Sequence, residues 1–434
     1  MQIPASPKGT RDFYPEDMAL RDFIFTGWRR TCRRFGFEEF DGPLFENLEL
    51  YTQKSGAEIE KQLYSFTDKG GRQMALRPEM TPTLARMVAA RGTSLAKPIR
   101  WFSIPQTFRY ERMQRGRGRE FYQLNMDILG VEEVTADAEL IAASVAMMQD
   151  LGFGPQDFAV HISSRKLLEE YLLGCGVAQA KLGELYALLD HRHKMQPGEY
   201  ERDLAALLPD SAVRSGVERV LGARSLDDLG AIDSSRASYV QMRELFGLLA
   251  AHGVTECALF DIGIVRGLAY YTGVVFELFD RSRSLRAIAG GGRYDHLVAS
   301  YGGPATPATG FAAGDIVIGE MLAEKSRKPS AAPRSSAYVV CFEERYPAAA
   351  VEVARDLRAG GISAEYSLRK VRVNRQLELA DAARAAVAVF VGGEEYAAGN
   401  VKVKRLADRQ EVTVPRASLV GTVTGLLAGP GSGA

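Results

Sequence analysis

The chain has 434 residues, of which 46% are hydrophobic and 25% charged, and its formal net charge is zero. These values predict a globular protein of two or three domains, and the neutral charge argues against a nucleic-acid binder with a basic excess over its whole surface. The four cysteines are far apart and the five histidines form no ligand-spaced cluster, so we expect free thiols and predict no metal site. No signal core or membrane-length apolar run is present, so we expect a cytoplasmic protein.

The N-terminal third alternates between helix and strand patterns. Apolar residues at a period near 3.6 predict an amphipathic helix over residues 17–35, followed by a short strand at 37–40. Residues 63–76 predict a hairpin, since glycines separate two strand-like runs. Residues 101–110 and 121–129 predict two further strands, joined by a loop that is rich in arginine.

The middle of the chain changes in character. A helix is predicted over 136–151 and a strand over 158–162. The segment at about 165–250 is rich in Ala, Leu, Glu and Arg and has little strand pattern, so it predicts a helical insertion. Strands resume at 258–264 and 273–279, and another helix begins near residue 314.

A linker separates the last part of the chain. Residues 326–336 are rich in Ser, Pro and Ala, which is typical of a connection between domains. Strand and helix patterns then alternate over 337–425 and predict a separate α/β domain. Residues 426–434 include a Gly-Pro-Gly-Ser-Gly run and predict a flexible tail.

Four motifs carry most of the functional information. They are RPEMTPT at residues 77–83, FRYERMQRGRGREFYQLNMD at 108–127, RGLAYYTG at 266–273 and AGGGRYD at 289–295. In this order and spacing they resemble the histidyl-tRNA synthetases, a family of class II aminoacyl-tRNA synthetases. The resemblance extends from residue 9 to about residue 414.

The resemblance implies a mixed α/β fold in which an α+β class II catalytic domain, built on an antiparallel sheet, occupies residues 1–325. The helical insertion at about 165–250 lies within it, and residues 337–425 correspond to an anticodon-binding domain. The family also implies a homodimer formed through the N-terminal helix-strand motif. From the sequence alone, that helix is equally compatible with a place in the core.

The implied activity is the activation of L-histidine with ATP and Mg²⁺, followed by transfer to the 3′ end of tRNA(His). Negative charge collects on the attacking carboxylate and on the phosphoryl oxygens, so fixed cations are the main catalytic requirement. Arg109 and Arg266 match the family's two catalytic arginines. No editing domain is needed, because a pocket built around hydrogen bonds to the imidazole rejects analogues that lack them.

The resemblance assigns the remaining site residues by class. Histidine binding falls to Glu79, Met80, Thr81, Arg109, Gln123, Asp127, Arg266, Tyr270 and Tyr271. ATP binding falls to Arg109, Glu111, Arg119, Gly291, Gly292 and Gly314. Contacts with tRNA fall to Arg112, Gln114 and Arg115 in the arginine-rich loop and to Arg369, Arg372 and Arg375 in the last domain.

One position departs from the family pattern. Val317 stands where the third class II motif usually has an arginine that stacks on adenine, and no Arg or Lys occurs between Arg293 and Lys325. We hypothesise from the sequence that Arg119 compensates. The departure keeps two other readings open: a non-catalytic paralogue, such as the regulatory subunit of ATP phosphoribosyltransferase, and a tRNA sensor that binds without charging.

Overall fold

An antiparallel-dominated sheet organises the first of two structural units, Met1–Ser330, and a smaller mixed sheet organises the second, Ala331–Ala434. The computed structural model describes residues 3–52, 61–191, 195–264, 271–330, 332–342 and 347–428. In these ranges, no helix combines the length and the apolar character needed to cross a membrane.

The first unit contains two sheets. Its strands are β1 (Glu38–Glu39), β2 (Phe45–Asn47), β3 (Ser65–Thr67), β4 (Gln73–Leu76), β5 (Ile99–Ser103), β6 (Gln106–Phe108), β7 (Glu120–Leu129), β8 (Phe158–Ser164), β9 (Ala258–Phe260), β10 (Val274–Asp280), β11 (Ala289–Arg293) and β12 (Ala308–Gly314). Within the described ranges, the larger sheet has the order β1-β5-β7-β12-β11-β10-β8-β9, with β6 paired to β7, and the smaller sheet has the order β2-β4-β3. Among the described strand pairs of the larger sheet, the outer pairs β1–β5 and β8–β9 are parallel and the others are antiparallel.

Helices alternate with these strands along the chain, and several of them pack on the larger sheet. In the first unit they are Pro15–Arg34, Glu49–Thr52, Thr81–Arg91, Thr135–Asp150, Arg165–Gly174, Leu182–His191, Glu199–Leu207, Ser211–Leu221, Leu226–Asp233, Ala237–Ala251, Leu297–Ser300 and Asp315–Glu324. The helix Thr135–Asp150 is the most deeply buried of the larger ones and contacts both Pro15–Arg34 and Ala237–Ala251. It joins the sheet and the helical segment into one hydrophobic core.

The segment rich in Ala, Leu, Glu and Arg forms short helices whose starts are capped by side chains. The Ser164 hydroxyl accepts a hydrogen bond from Leu167 N at 3.3 Å, and Asp210 Oδ1 accepts one from Ala212 N at 2.7 Å. Ser225 and Asp228 form a capping box. These caps satisfy N–H groups that the first helical turn leaves without partners, so they explain why the segment divides into helices at these points.

One sequence prediction about the central sheet is wrong. Residues 101–110 do not form a single strand. The strand β5 ends before Pro105, and β6 begins after it. Proline has no N–H to donate to the sheet, so pairing is interrupted there. Both strands still pair with β7, with Ser103 opposite Asn125 and Gln106 opposite Tyr122.

The second unit has its own hydrophobic core. Its strands β13 (Ala337–Cys341), β14 (Ala364–Tyr366), β15 (Val387–Val391), β16 (Asn400–Arg405) and β17 (Glu411–Pro415) have the order β14-β13-β15-β16-β17, and its helices are Pro347–Ala359, Val373–Ala382, Gly393–Ala397 and Leu419–Ala428. The first three strands of that order are parallel, and the last two pairings are antiparallel. This agrees with the α/β pattern of the sequence.

The pairing of β7 with β12 requires a close approach of the two strands at the centre of the larger sheet. Gly310 lies directly opposite Asp127, and a Cβ atom added to Gly310 would lie 1.9 Å from Asp127 Oδ1. No side chain fits at such a distance. Glycine is therefore required at position 310 by its neighbour rather than by its backbone angle.

We predict that Gly310→Ala destabilises the protein by about 1–3 kcal/mol, the usual cost of overpacking a core. The measurement is urea unfolding followed by circular dichroism. Gly247→Ala is the matched control. Gly247 lies in the helix Ala237–Ala251, and an added Cβ there would meet no neighbouring atom within 4 Å. Alanine at this position should therefore stabilise the protein by about 0.5–1 kcal/mol. Equal stability of Gly310→Ala and the unsubstituted protein would contradict this packing.

Candidate active site

A cleft lies over the larger sheet, bordered by the strands β7, β11 and β12 and by the arginine-rich loop. Its volume is about 350 Å³, which is in the range of small-molecule sites. The polar side chains that line it are Glu79, Thr81, Arg109, Glu111, Arg117, Gln123, Asn125, Asp127, Tyr271, Glu277, Arg286 and Tyr294. The rest of the lining is glycine and apolar side chains, including Phe121, Ile288 and Val317.

Strand β7 supplies a row of acceptors on the floor of the cleft. Gln123, Asn125 and Asp127 are spaced by two residues, so they point to the same face of the strand. Gln123 Oε1, Asn125 Oδ1 and Asp127 Oδ2 are buried and have no hydrogen-bond partner among the described residues. Because buried polar atoms are normally hydrogen-bonded, these three oxygens are candidate acceptors for a ligand that brings donors.

The carboxyl of Asp127 has a pKa that its surroundings shift strongly. Its side chain is 2% exposed, and Tyr294 donates a hydrogen bond from its hydroxyl to Oδ1 at 2.6 Å. Burial raises the pKa of the Asp127 carboxyl to about 7, and the hydrogen bond from Tyr294 opposes this rise only in part. Oδ2 is thus the oxygen that Tyr294 leaves without a hydrogen bond, in a carboxyl that lines the cleft and changes charge near neutral pH.

Arg109 is held on the wall above β7. Its Nε donates to the carbonyl of Pro78 at 2.9 Å, and its guanidinium lies 5.4 Å from the centre of the Phe121 ring. The preceding turn is fixed by Arg77, whose guanidinium bonds Asp41 Oδ1 at 2.7 Å and the carbonyl of Gln106 at 2.9 Å. This anchoring explains how residues 78–81 reach the cleft.

The arginine-rich loop closes one side of the cleft and is fixed to the helix Asp315–Glu324. Gly116 N donates to Glu320 Oε1 at 2.9 Å, and Arg115 forms ion pairs with Glu320 and Glu324. Gly116 has φ +73°, a conformation that favours glycine. The loop is therefore positioned by hydrogen bonds and charge at the mouth of the cleft.

Two further arginines of the loop have different neighbours. Arg117 is ion-paired with Glu111, and both side chains line the cleft. The guanidinium of Arg119 lies 4.1 Å from the centre of the Tyr110 ring, and its Nε donates to the carbonyl of Glu111 at 3.2 Å. Arg119 is not among the residues that line the cleft.

The structure brings together most residues that the sequence assigned to the small-molecule site. Those that line the cleft are Glu79, Thr81, Arg109, Glu111, Gln123, Asp127, Tyr271 and Gly314. Met80 is fully buried beside them, and Gly291 and Gly292 lie in β11, against the backbone of neighbouring strands. Arg266 and Tyr270 lie outside the described residues, so their assigned roles stay predictions.

The residues assigned to tRNA are on the surface. Arg112, Gln114 and Arg115 are exposed in the arginine-rich loop of the first unit. Arg369, Arg372 and Arg375 are exposed in the second unit, where Arg375 is ion-paired with Glu378. Buried Gln376 bonds the backbone of Cys341 and Val371, which fixes this basic segment beside β13.

Comparison with known proteins identifies the family. The family model described as histidyl-tRNA synthetase matches residues 9–314, and the model described as anticodon binding domain matches residues 336–426. The chain belongs to the histidyl-tRNA synthetase family. It is 42% identical to the chloroplastic/mitochondrial histidine–tRNA ligase of Arabidopsis thaliana over 95% of this chain and 85% of that protein, and 41% identical to the histidine–tRNA ligase of Opitutus terrae over 94% of this chain and 95% of that protein.

Solved structures with low sequence identity show the same fold. The histidyl-tRNA synthetase of Nostoc sp. PCC 7120 has a TM-score of 0.82 at 22% identity, covering 98% of this chain and all of that one. A Bacillus halodurans structure, titled as an ATP phosphoribosyltransferase regulatory subunit/histidyl-tRNA synthetase, has a TM-score of 0.73 at 24% identity, covering 86% of this chain and 96% of that one. The class II fold with a C-terminal anticodon-binding domain is thus the fold of this family member.

Sequence reasoning missed several residues of the cleft. The spacing along β7 could have identified Asn125, since this residue lies between Gln123 and Asp127 on the same face of the strand. Tyr294 belongs to the AGGGRYD motif, but its contact with Asp127 spans 167 positions and has no local signal. Arg286 lies between β10 and β11, and no motif marks it.

Proposed function

We propose that this member of the family is an active histidine–tRNA ligase, which forms histidyl-adenylate from L-histidine and ATP and transfers histidine to the 3′ end of tRNA(His). The observation that carries the proposal is the buried Asp127 carboxyl, which lines the cleft and whose Oδ2 has no hydrogen-bond partner among the described residues. An imidazole N–H is a donor of the kind this acceptor requires.

Histidine would lie along β7 with its ring towards Asp127. Its imidazole N–H donates to Asp127 Oδ2, and the Tyr271 ring, which lines the cleft, borders the substrate. The ammonium group is matched by Glu79, Thr81 and Gln123, which supply oxygen acceptors at the same cleft. Tyr270 is proposed on the opposite side of the imidazole, as in the sequence prediction.

The reaction needs positive charge where the histidine carboxylate attacks the α-phosphorus of ATP and pyrophosphate leaves. Arg109 is fixed by Pro78 and lines the cleft, so its cation is positioned before the reaction. Arg266 is proposed as the second catalytic cation. In the second step, a hydroxyl at the 3′ end of tRNA attacks the histidyl carbonyl and AMP leaves.

ATP is proposed to lie above β11 and β12, where glycines leave backbone exposed to the cleft. Gly290, Gly310 and Gly314 line it there, beside the apolar side chains of Ile288 and Val317. The carboxylates of Glu111 and Glu277 line the same cleft and are ligands of the type that Mg²⁺ prefers. A bound Mg²⁺ would neutralise phosphate charge.

Contact with tRNA is proposed for both units. The exposed arginine-rich loop is at the mouth of the cleft, which suits the acceptor end, and the basic segment 369–375 suits a second contact. Residues 1–325 and 337–425 are proposed as the catalytic and anticodon-binding domains, joined by 326–336 and followed by a tail at 426–434. Two short basic surfaces on a neutral chain fit a partner that must also be released.

A homodimer formed through the N-terminal helix-strand motif and a cytoplasmic location complete the proposal. The region after β1 exposes Leu44 and Phe45, and Phe45 contacts exposed Phe66 with ring centres 6.0 Å apart. Contiguous exposed apolar side chains of this kind often mark a protein interface. The four cysteines are free thiols, which fits a reducing compartment.

The regulatory-subunit alternative is less well supported. It predicts the loss of the C-terminal domain, whereas residues 336–426 match the anticodon binding domain. The relatives at 41–42% identity over nearly the whole chain are histidine–tRNA ligases. Retention of Glu79 and Arg109 in the cleft argues against a sensor that does not charge tRNA.

The direct test is histidine-dependent exchange of pyrophosphate into ATP by the purified protein. We expect exchange with histidine and none with other amino acids, because the Asp127 acceptor selects an imidazole. Absence of exchange at saturating ATP and histidine would refute the proposed activity.

We predict that Asp127→Asn weakens histidine binding by about 1–3 kcal/mol, since it replaces an ionisable acceptor with an amide. In the unsubstituted protein, Tyr294 donates a hydrogen bond to Oδ1 of Asp127. The carboxyl takes up a proton as the pH falls through its pKa of about 7, and this proton lies on Oδ2. Oδ2 then becomes a hydrogen-bond donor instead of an acceptor. We therefore divide the histidine affinity of the unsubstituted protein by that of Asp127→Asn. This ratio should fall as the pH is lowered from about 8 to about 6. Titration of free histidine cancels in this ratio when both proteins bind the same protonation state of the imidazole.

The measurement is the histidine KM in the exchange assay at each pH and at saturating ATP. Asp68→Asn, in the turn between β3 and β4 and away from the cleft, is the matched control and should keep the unsubstituted KM. A ratio that does not change with pH would exclude Asp127 as the titrating acceptor.

We predict that a chain ending at Ser330 retains pyrophosphate exchange but charges tRNA(His) poorly. The cleft lies wholly in the first unit, while the basic segment 369–375 lies in the second. A second tethered contact raises the effective concentration of tRNA without changing the chemistry. The full-length Arg369→Ala, Arg372→Ala, Arg375→Ala variant should reproduce part of the loss, and undiminished aminoacylation by the shortened chain would contradict the role of the second unit.

A further inference from the structure

The cleft carries an arginine that no motif identifies. Arg286 lies between β10 and β11 and lines the same cleft as Asp127 and Arg109. Its side chain is exposed at the mouth, and Nη1 donates to the neutral amide oxygen of Gln114 at 3.2 Å. The residue therefore joins the turn after β10 to the arginine-rich loop.

Arg286 lies beside the position where the family pattern lacks its cation. A Cβ atom added to Gly116 would lie 3.3 Å from Val317 Cγ2 and 3.7 Å from Arg286 Cδ. Val317 and Arg286 therefore border the same point of the loop backbone. Val317 is 5% exposed and provides an apolar surface, while Arg286 provides charge next to it.

Arg286 forms no ion pair with any of the described residues. Arg117 is ion-paired with Glu111, and Arg109 is held by the carbonyl of Pro78 and the face of Phe121. Among the described residues, the polar contact of Arg286 is the uncharged Gln114. A long side chain with an unneutralised guanidinium at the mouth of a nucleotide cleft is suited to a phosphate chain, which it can bind through two parallel hydrogen bonds.

We propose that Arg286 binds the phosphate chain of ATP and supplies, from the turn between β10 and β11, the cation that the helix Asp315–Glu324 lacks at Val317. This inference rests on the proposed function in taking ATP as the nucleotide. It assigns the compensating role to Arg286 instead of Arg119, which lies on the Tyr110 ring and does not line the cleft. Val317 then contacts the base as an apolar surface.

The test is a calorimetric titration of the protein with ATP and, separately, with adenosine. Histidine is left out, so that nucleotide binding is measured without the adenylation reaction. Arg286→Ala should weaken ATP binding by about 10-fold to 100-fold, because a hydrogen bond to a charged group is lost, and should leave adenosine binding unchanged. Arg286→Lys should restore only part of the affinity, because an ammonium group cannot form the planar fork. In the exchange assay, Arg286→Ala should raise the ATP KM and leave the histidine KM nearly unchanged.

Arg283→Ala is the matched control. Arg283 lies on the same turn but is ion-paired with Asp261 at 3.1 Å and does not line the cleft, so its loss should not affect ATP binding. Equal weakening of ATP and adenosine by Arg286→Ala would overturn the proposal, and so would a loss of ATP affinity in Arg119→Ala but not in Arg286→Ala. If the unsubstituted protein bound ATP without catalysing exchange, the proposed activity would fail while the ATP titrations still decided the role of Arg286.

Discussion

A carboxyl group buried in the middle of the nine-stranded sheet imposes the arrangement around it. Asp127 is only 2% exposed, so its oxygens depend largely on neighbours supplied by other strands. Tyr294 satisfies one oxygen, and Gly310 on β12 leaves the space in which the carboxyl lies. The second oxygen is left for a ligand. The site and the packing of the sheet are therefore parts of the same local structure, and a substitution at position 310 or 294 affects both.

The strand that carries Tyr294 to Asp127 is held by a buried ion pair. Arg293 donates from Nε and Nη2 to Asp137 Oδ2 in the helix Thr135–Asp150, and also to the carbonyls of Val131 and Glu133. Burial alone lowers the pKa of Arg293, but the charge of Asp137 outweighs it and holds that pKa above its ordinary value. The guanidinium therefore stays charged. Loss of one partner would leave an uncompensated buried charge, which typically costs about 3–5 kcal/mol.

The helix Asp315–Glu324 connects the sheet to the arginine-rich loop. Asp315 at its start accepts a hydrogen bond from Tyr122 N at 3.0 Å and pairs with Arg11 at 2.9 Å, while Glu320 further along accepts from Gly116. Acidic groups thus hold a basic loop, so that its position at the cleft depends on electrostatics as well as on chain connectivity.

Local patterns in the sequence determined much of the fold and part of the cleft. The alternation along β7 correctly places Gln123 and Asp127 on one face, and the period of the apolar residues predicts the helix that the structure has at Pro15–Arg34, because both depend on neighbours within a few residues. Only the tertiary structure decided that Tyr294 meets Asp127 and that Arg286 meets the loop at Gly116. These contacts join residues more than 160 positions apart, and their geometry follows from strand order and register, which no local periodicity encodes.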